Sequence, residues 1–187
     1  EIKGNKIGEA GGQTLVRIVS KHPCLTKLKL DSNKLGGQGV MDLCEGLVSN
    51  CQLAYLDLDC NNITSSGYTA LGAMLERNTS LQCLVLDGNS TNQRGFDGFF
   101  QSLIHNTTLY DLGLRECFLD SAVGLSSYIN RINLKSLGFQ GNPIAPKEAK
   151  SLFTQLATNT SLQSLDLGRC NLNKKCINEL VHCIKHN

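Results

Sequence analysis

Leu25, Leu28, Leu30 and Asn33 form the pattern L-x-x-L-x-L-x-x-N, and 28 residues later the frame returns as Leu53, Leu56, Leu58 and Asn61. It returns twice more at that interval, as Leu81, Leu84, Leu86 and Asn89, then as Leu109, Leu112, Leu114 and Cys117. The next step is 25 residues, to Leu134, Leu137, Phe139 and Asn142, and a last step of 28 reaches Leu162, Leu165, Leu167 and Cys170. Ile2 and Asn5 carry the tail of an earlier unit. A fixed period of this size implies one supersecondary unit stacked along an array, because no single unit can bury its apolar face alone.

The residues inside each period say what that unit is. Alternate residues such as Leu28 and Leu30 point to one face of a short strand. After the Asn the period changes. Val40, Leu43, Cys44 and Leu47 are spaced i, i+3, i+4, i+7, the stripe of an amphipathic helix. Tyr68, Leu71, Gly72 and Leu75 repeat it, as do Phe96, Phe99, Phe100 and Leu103, so the three phenylalanines read as core. Gly39, Gly67 and Gly95 recur at helix starts, where a helix lies close on its neighbour. Asn50, Asn78, Asn106, Asn159 and Asn187 recur at helix ends and read as left-handed C-caps. A strand–helix unit repeated in one direction gives parallel strands and right-handed crossovers. The expected fold is therefore an α/β solenoid, a right-handed βα superhelix with strands on the concave side and helices on the convex side.

These motifs resemble leucine-rich repeat proteins along the whole chain. The 28-residue period is similar to that of the ribonuclease-inhibitor-like subclass. The "NTSL" at Asn78–Leu81 and Asn159–Leu162 resembles repeats of NOD-like receptors, RanGAP-like proteins and bacterial effectors. Such a resemblance specifies a fold far more closely than a function. In this subclass the Asn of each frame satisfies turn backbone groups, which gives Asn5, Asn33, Asn61, Asn89 and Asn142 a structural role. Cys117 and Cys170 replace it as structural thiols.

Residues 1–187 read as one domain of six full strands and a partial N-terminal repeat. Neither end shows the polar cap of a terminal repeat, which reads as a segment of a longer chain. The shortened step between Cys117 and Asn142 places a three-residue loss between about Ser121 and Asn133. With Arg131 at the last stripe position, a short or irregular helix and a local change of curvature are expected there.

Composition narrows the function. With 18 Lys+Arg against 16 Asp+Glu, the charge is too balanced for phosphate neutralisation, so no nucleic acid is expected. No apolar run approaches a membrane span, and no signal peptide is visible. Nine cysteines, an odd number without a CxxC pair, fit reduced thiols and a cytoplasmic setting better than a disulfide framework. Cys24 and Cys51 occupy near-equivalent turns, yet their spacing alone does not make a disulfide. Of the Asn-x-Ser/Thr sequons, Asn78, Asn89, Asn106 and Asn159 fall on structural positions, leaving Asn62 as the one exposed candidate.

No P-loop, HExxH, GxSxG or EF-hand motif occurs, so the chain is not expected to be an enzyme and no cofactor is implied. His182 and His186, with Cys176 and Cys183, span more than one helix face, so no metal site is expected. His22 and His105 lie at or beside helix ends and read as solvated.

What remains is the concave face. Its first column is Lys27, Tyr55, Cys83, Asp111, Ser136, Ser164, and its second is Lys29, Asp57, Val85, Gly113, Gly138, Asp166. The third is Lys3, Asp31, Asp59, Asp87, Arg115, Gln140, Gly168. Three stacked aspartates repel and do not help the fold, so the column is either a solvated acidic face or a stripe for a basic partner. One carboxylate per strand is a sparse cage for a cation. The glycine- and serine-rich second half reads as bare, open to close approach, and Tyr55 as the lone aromatic anchor. The expected function is a non-catalytic protein-interaction module, monomeric, docking a protein partner over Lys27, Lys29, Asp31, Tyr55, Asp57, Asp59, Cys83, Asp87, Asp111, Arg115 and Asp166. The alternative implied by the resemblance is a RanGAP-like activator of a small GTPase.

Overall fold

The computed structural model describes residues 1–117 and 123–186. Strand and helix alternate throughout: α1 (Gly11–Lys21), β1 (Lys27–Lys29), α2 (Gly36–Val48), β2 (Tyr55–Asp57), α3 (Ser65–Leu75), β3 (Cys83–Val85), α4 (Gln93–Leu103), β4 (Asp111–Gly113), α5 (Val123–Tyr128), β5 (Ser136–Gly138), α6 (Pro146–Leu156), β6 (Ser164–Asp166) and α7 (Lys174–His186). The six strands form one parallel sheet in chain order. Their register follows the repeat frame, with Leu28, Leu56, Leu84, Leu112, Leu137 and Leu165 paired in one row.

The core lies between sheet and helices. The frame leucines of the inner repeats, from Leu53 to Leu137, are at most 1% exposed, and the stripes of α2, α3 and α4 are buried. Phe96, Phe99 and Phe100 are core, with Phe99 edge-on to both Phe100 and Tyr68. Helix starts lie close on their neighbours, as expected. A Cβ at Gly95 would meet the Ser65 Cα at 2.8 Å, and one at Gly39 would meet the Glu9 backbone at 3.1 Å.

The first asparagine ladder forms as expected in the inner repeats, whereas at its N-terminal end the Asn33 Oδ1 is buried without a partner among the described residues. Asn61 Nδ2 donates to Leu30 O and Asp59 O, while its Oδ1 accepts from Asn33 N and Leu35 N. Asn89 repeats the pattern one unit on. At Cys117 the thiol donates instead to Leu86 O and Arg115 O. Burial pushes this thiol up to about 12, as it does the core thiol Cys44.

The helix-end asparagines require a correction. None of Asn50, Asn78, Asn106 or Asn159 is in the left-handed region. They form a second ladder instead. Asn78 Nδ2 donates to Leu47 O and Asn50 O of the preceding repeat, and its Oδ1 accepts from Ser80 N and Leu81 N. Asn106 does the same with Leu75 O, Asn78 O, Thr108 N and Leu109 N. Asn187 lies outside the described residues.

Seven of the left-handed residues sit directly after the third concave column. Gly4, Ser32, Cys60, Gly88, Glu116, Gly141 and Arg169 occupy one equivalent position and all have positive φ. Each bends the chain from strand into turn at the same place, and four do so with a side chain that resists it.

In the shortened repeat α5 spans six residues and Leu125, Ile129 and Ile132 fill the core. Ser121 lies outside the described residues. Arg131 is exposed and three residues before Leu134, so it replaces a second-ladder Asn rather than a stripe leucine. The lost residues therefore precede it.

Candidate protein-binding face

The strand register brings the predicted columns together. Lys27, Tyr55, Cys83, Asp111, Ser136 and Ser164 pair in sequence, as do Lys29, Asp57, Val85, Gly113, Gly138 and Asp166. Backbone bonds continue the third column beyond the strands: Gly4 N to Asp31 O, Ser32 N to Asp59 O, Cys60 N to Asp87 O and Gly88 N to Arg115 O.

At the N-terminal half, the Lys27 Nζ stands 4.4 Å from the centre of the Tyr55 ring, a cation–π contact. Lys29 pairs with Glu1 at 3.1 Å. That hydrogen bond draws Glu1 below its ordinary value and raises Lys29. Lys3 approaches Asp31 only to 3.9 Å. Asp57 and Asp59 form no salt bridge among the described residues, and the Lys29 charge acts on Asp57 from beyond pairing distance. Burial raises the Asp57 carboxyl above its ordinary value against a hydrogen bond from Asp59 N, and the charges of Asp31 and Asp59 add to the rise. The Tyr55 hydroxyl is raised too, by burial and then by Asp57. Burial and then the Asp111 carboxylate, 3.5 Å away, push the Cys83 thiol up to about 12.

The second half departs from the expected open, bare surface. The Arg115 guanidinium lies over Gly138 and bridges two carboxylates, Nη1 to Asp87 Oδ2 and Nε to Asp166 Oδ2, each at 3.1 Å. Asp87 Oδ1 also accepts from Arg115 N at 2.7 Å and lies 2.7 Å from where a Gly113 Cβ would sit. Gly113 and Gly138 are buried. The glycines thus hold an internal Asp–Arg–Asp bridge, and Asp87 ties adjacent repeats together rather than merely repelling its column. Burial raises Asp87 despite these bonds, whereas Asp166 is lowered, first by the Gly168 N–H and then by Arg115.

An aromatic was missed. Tyr110 is 40% exposed beside β4, with Lys135 Nζ 5.7 Å from its ring centre. It stands one residue before the first column, at a position otherwise held by Thr26, Ala54, Gln82, Lys135 and Gln163, so the alternation of the strand does not place it in the concave columns. A large apolar ring at a position otherwise small or polar was the available signal.

The remaining sites resolve by burial. Asn62 is exposed, whereas Asn78, Asn89, Asn106 and Asn159 are buried. Cys24 and Cys51 are exposed free thiols, and Cys176 and Cys183 are buried. Among the described residues no helix is long and apolar enough to cross a membrane.

The family model described as Leucine Rich repeat matches residues 21–44, 49–72 and 158–175. No match is found among curated proteins. A solved structure titled leiomodin-1 actin-binding site 2 is similar, with a TM-score of 0.58 and 17% identity, over 92% of this chain and 88% of that one. The C-terminal domain of Caenorhabditis elegans tropomodulin is similar with a TM-score of 0.56 and 9% identity, over 94% of this chain and 92% of that one. Identities this low carry the fold alone.

Proposed function

Because the chain is a leucine-rich repeat protein in frame, fold and structural likeness, we propose that it is a non-catalytic interaction module whose concave face grips a basic protein surface. The observation that carries this is the carboxylate group of Asp31, Asp57 and Asp59 beside Tyr55. These side chains are not needed for the core, which the alternate leucines fill, and Asp57 and Asp59 form no salt bridge among the described residues. The internal bridge at Arg115 withdraws Asp87 and Asp166 from this role and confines the acidic contact to the first three strands. Lys27, Lys29, Cys83 and Asp111 border it. The leiomodin-1 structure is named for an actin-binding site, so a solenoid of similar fold and length serves there as a protein-binding surface.

An acidic contact of this kind speeds association with a basic partner and makes it salt-sensitive. The test is affinity capture from cell lysate with wild type, with Asp57→Asn/Asp59→Asn and with Tyr55→Ala, each in low and high salt. A partner released by salt and lost from both variants supports the reading. A partner that both variants retain, while convex-face Arg94→Ala loses it, overturns it.

A further inference from the structure

We propose that the concave face takes from its protein partner an α-helix that is bipolar across its width, with basic side chains along one edge and acidic side chains along the other. The inference rests on the proposed acidic contact at Asp31, Asp57 and Asp59 and adds a second edge to it. Between each helix and the next first-column residue, that residue included, the charged side chains are the basic Lys27, Arg77, Arg131 and Lys135 and the acidic Glu76 and Asp111. All four cations are exposed, and none forms a salt bridge among the described residues. Asp111 already accepts from the Cys83 thiol. Lys27 stands at the Tyr55 ring and Lys135 at the Tyr110 ring, contacts that hold the ammonium groups without neutralising them. The margin of strand starts is thus basic, while the margin of strand ends at β1 and β2 carries the three aspartates.

The dimensions of the face select the occupant. From Lys27 to Asp31, and from Tyr55 to Asp59, the chain advances four residues, roughly 13 Å at ~3.3 Å each. An α-helix with its side chains is about 10–12 Å across, so one helix lying along the array fills the space between the margins. From Lys27 in β1 to Lys135 just before β5 the sheet advances four strands, roughly 19 Å, which matches about 13 helical residues.

A helix of this size touches both margins at once. A uniformly basic helix sets cations against Lys27 and Lys135, and a uniformly acidic one sets carboxylates against Asp57 and Asp59. Each juxtaposition is repulsive, and only a helix with opposite charges on its two edges avoids both.

The test titrates alanine-based peptides of about 16 residues, long enough to be helical, into the protein by calorimetry at low salt. The bipolar peptide carries arginines along one edge and glutamates along the other. A second peptide has the same composition with the charges mixed on both edges. A third replaces each glutamate with glutamine, which raises its net positive charge. The bipolar peptide is expected to bind roughly tenfold more tightly than either. Lys27→Gln/Lys135→Gln should erase its advantage over the third peptide, and Asp57→Asn/Asp59→Asn should weaken both. Equal or tighter binding of the third peptide, lost in Asp57→Asn/Asp59→Asn, overturns the second edge and leaves the acidic contact standing. Equal binding of the mixed peptide, an advantage that survives Lys27→Gln/Lys135→Gln, or no binding of the bipolar peptide at ~1 mM also overturns the proposal. Bipolar-peptide binding that Asp57→Asn/Asp59→Asn leaves unchanged overturns the acidic contact as well.

Discussion

Arg115 and Gly138 share one space: a Cβ at Gly138 would lie 2.6 Å from the Arg115 Cζ. The missing side chain lets the guanidinium lie flat across the sheet and reach Asp87 and Asp166 together. The bridge spans from the third strand to the sixth, so it braces the half of the array that contains the shortened repeat. Gly138→Ala should displace the tip of a flexible side chain, a small steric cost, and lose both pairs. Arg115 is 43% exposed, so screening keeps the loss near ~1 kcal/mol. Arg115→Ala should lose a similar amount. The two changes should not add in a urea-denaturation cycle, because either one removes the same bridge.

The second asparagine ladder yields a sharper test. Asn78→Ala strands the N–H groups of Ser80 and Leu81 and the carbonyl of Leu47, all near the core. A cost of about 2–3 kcal/mol is expected. Asn78→Gly separates the ladder from left-handed capping. A cap position would accept glycine with little loss, whereas a ladder position should lose as much as with alanine. Equal stability of wild type and Asn78→Gly in denaturant titration would refute the ladder.

The repeat frame made most of this fold legible before any coordinates. Strand pairing, the stripes and the first ladder all follow from residues recurring at one spacing, because burial demands the same chemistry at every turn of the array. Not everything followed, and two cases show why. Helix-end asparagine fits two roles, capping and cross-repeat bonding, and sequence spacing is identical for both; the partners Leu47 O and Leu81 N decide between them. On the concave face the strand columns pair in the register that the frame implies, but glycine was read as empty space. Whether a glycine is bare depends on where the long neighbour goes, and Arg115 goes over Gly138.

The raised carboxyl of Asp57 has a pH signature. Its folded form holds a proton more tightly than the unfolded chain does, so folding takes up protons just above the ordinary value of 3.8. Stability from this group is present below that value and is lost as pH rises through the raised one. Asp57→Asn fixes the neutral form and can still accept from Asp59 N. The variant should be more stable than wild type at pH 7, with the difference shrinking to nothing as pH falls below 3.8. Thermal melts across that range measure it, and a gain that grows on acidification would reverse the assignment.

Cys60 reports the same acidic field by its reactivity. It is exposed, yet the hydrogen bond to Asp59, then burial and the Asp59 charge, push its thiol up to about 11. The thiolate is the reactive form, so at neutral pH Cys60 should label slowly for an exposed cysteine. Asp59→Asn weakens the hydrogen bond and removes the charge, which should speed labelling roughly tenfold or more. Mass spectrometry of the modified peptides distinguishes Cys60 from exposed Cys24 and Cys51, whose rates should not change. Those two serve as the internal standard, because Asp59 is not in contact with them. An unchanged Cys60 rate in Asp59→Asn would mean that the turn geometry after β2, with φ of 52° at Cys60, limits access rather than the carboxylate. Cys60→Gly addresses that backbone directly. Glycine at this left-handed position should raise stability by up to ~1 kcal/mol, as the residue already does at Gly88 and Gly141 in the same place.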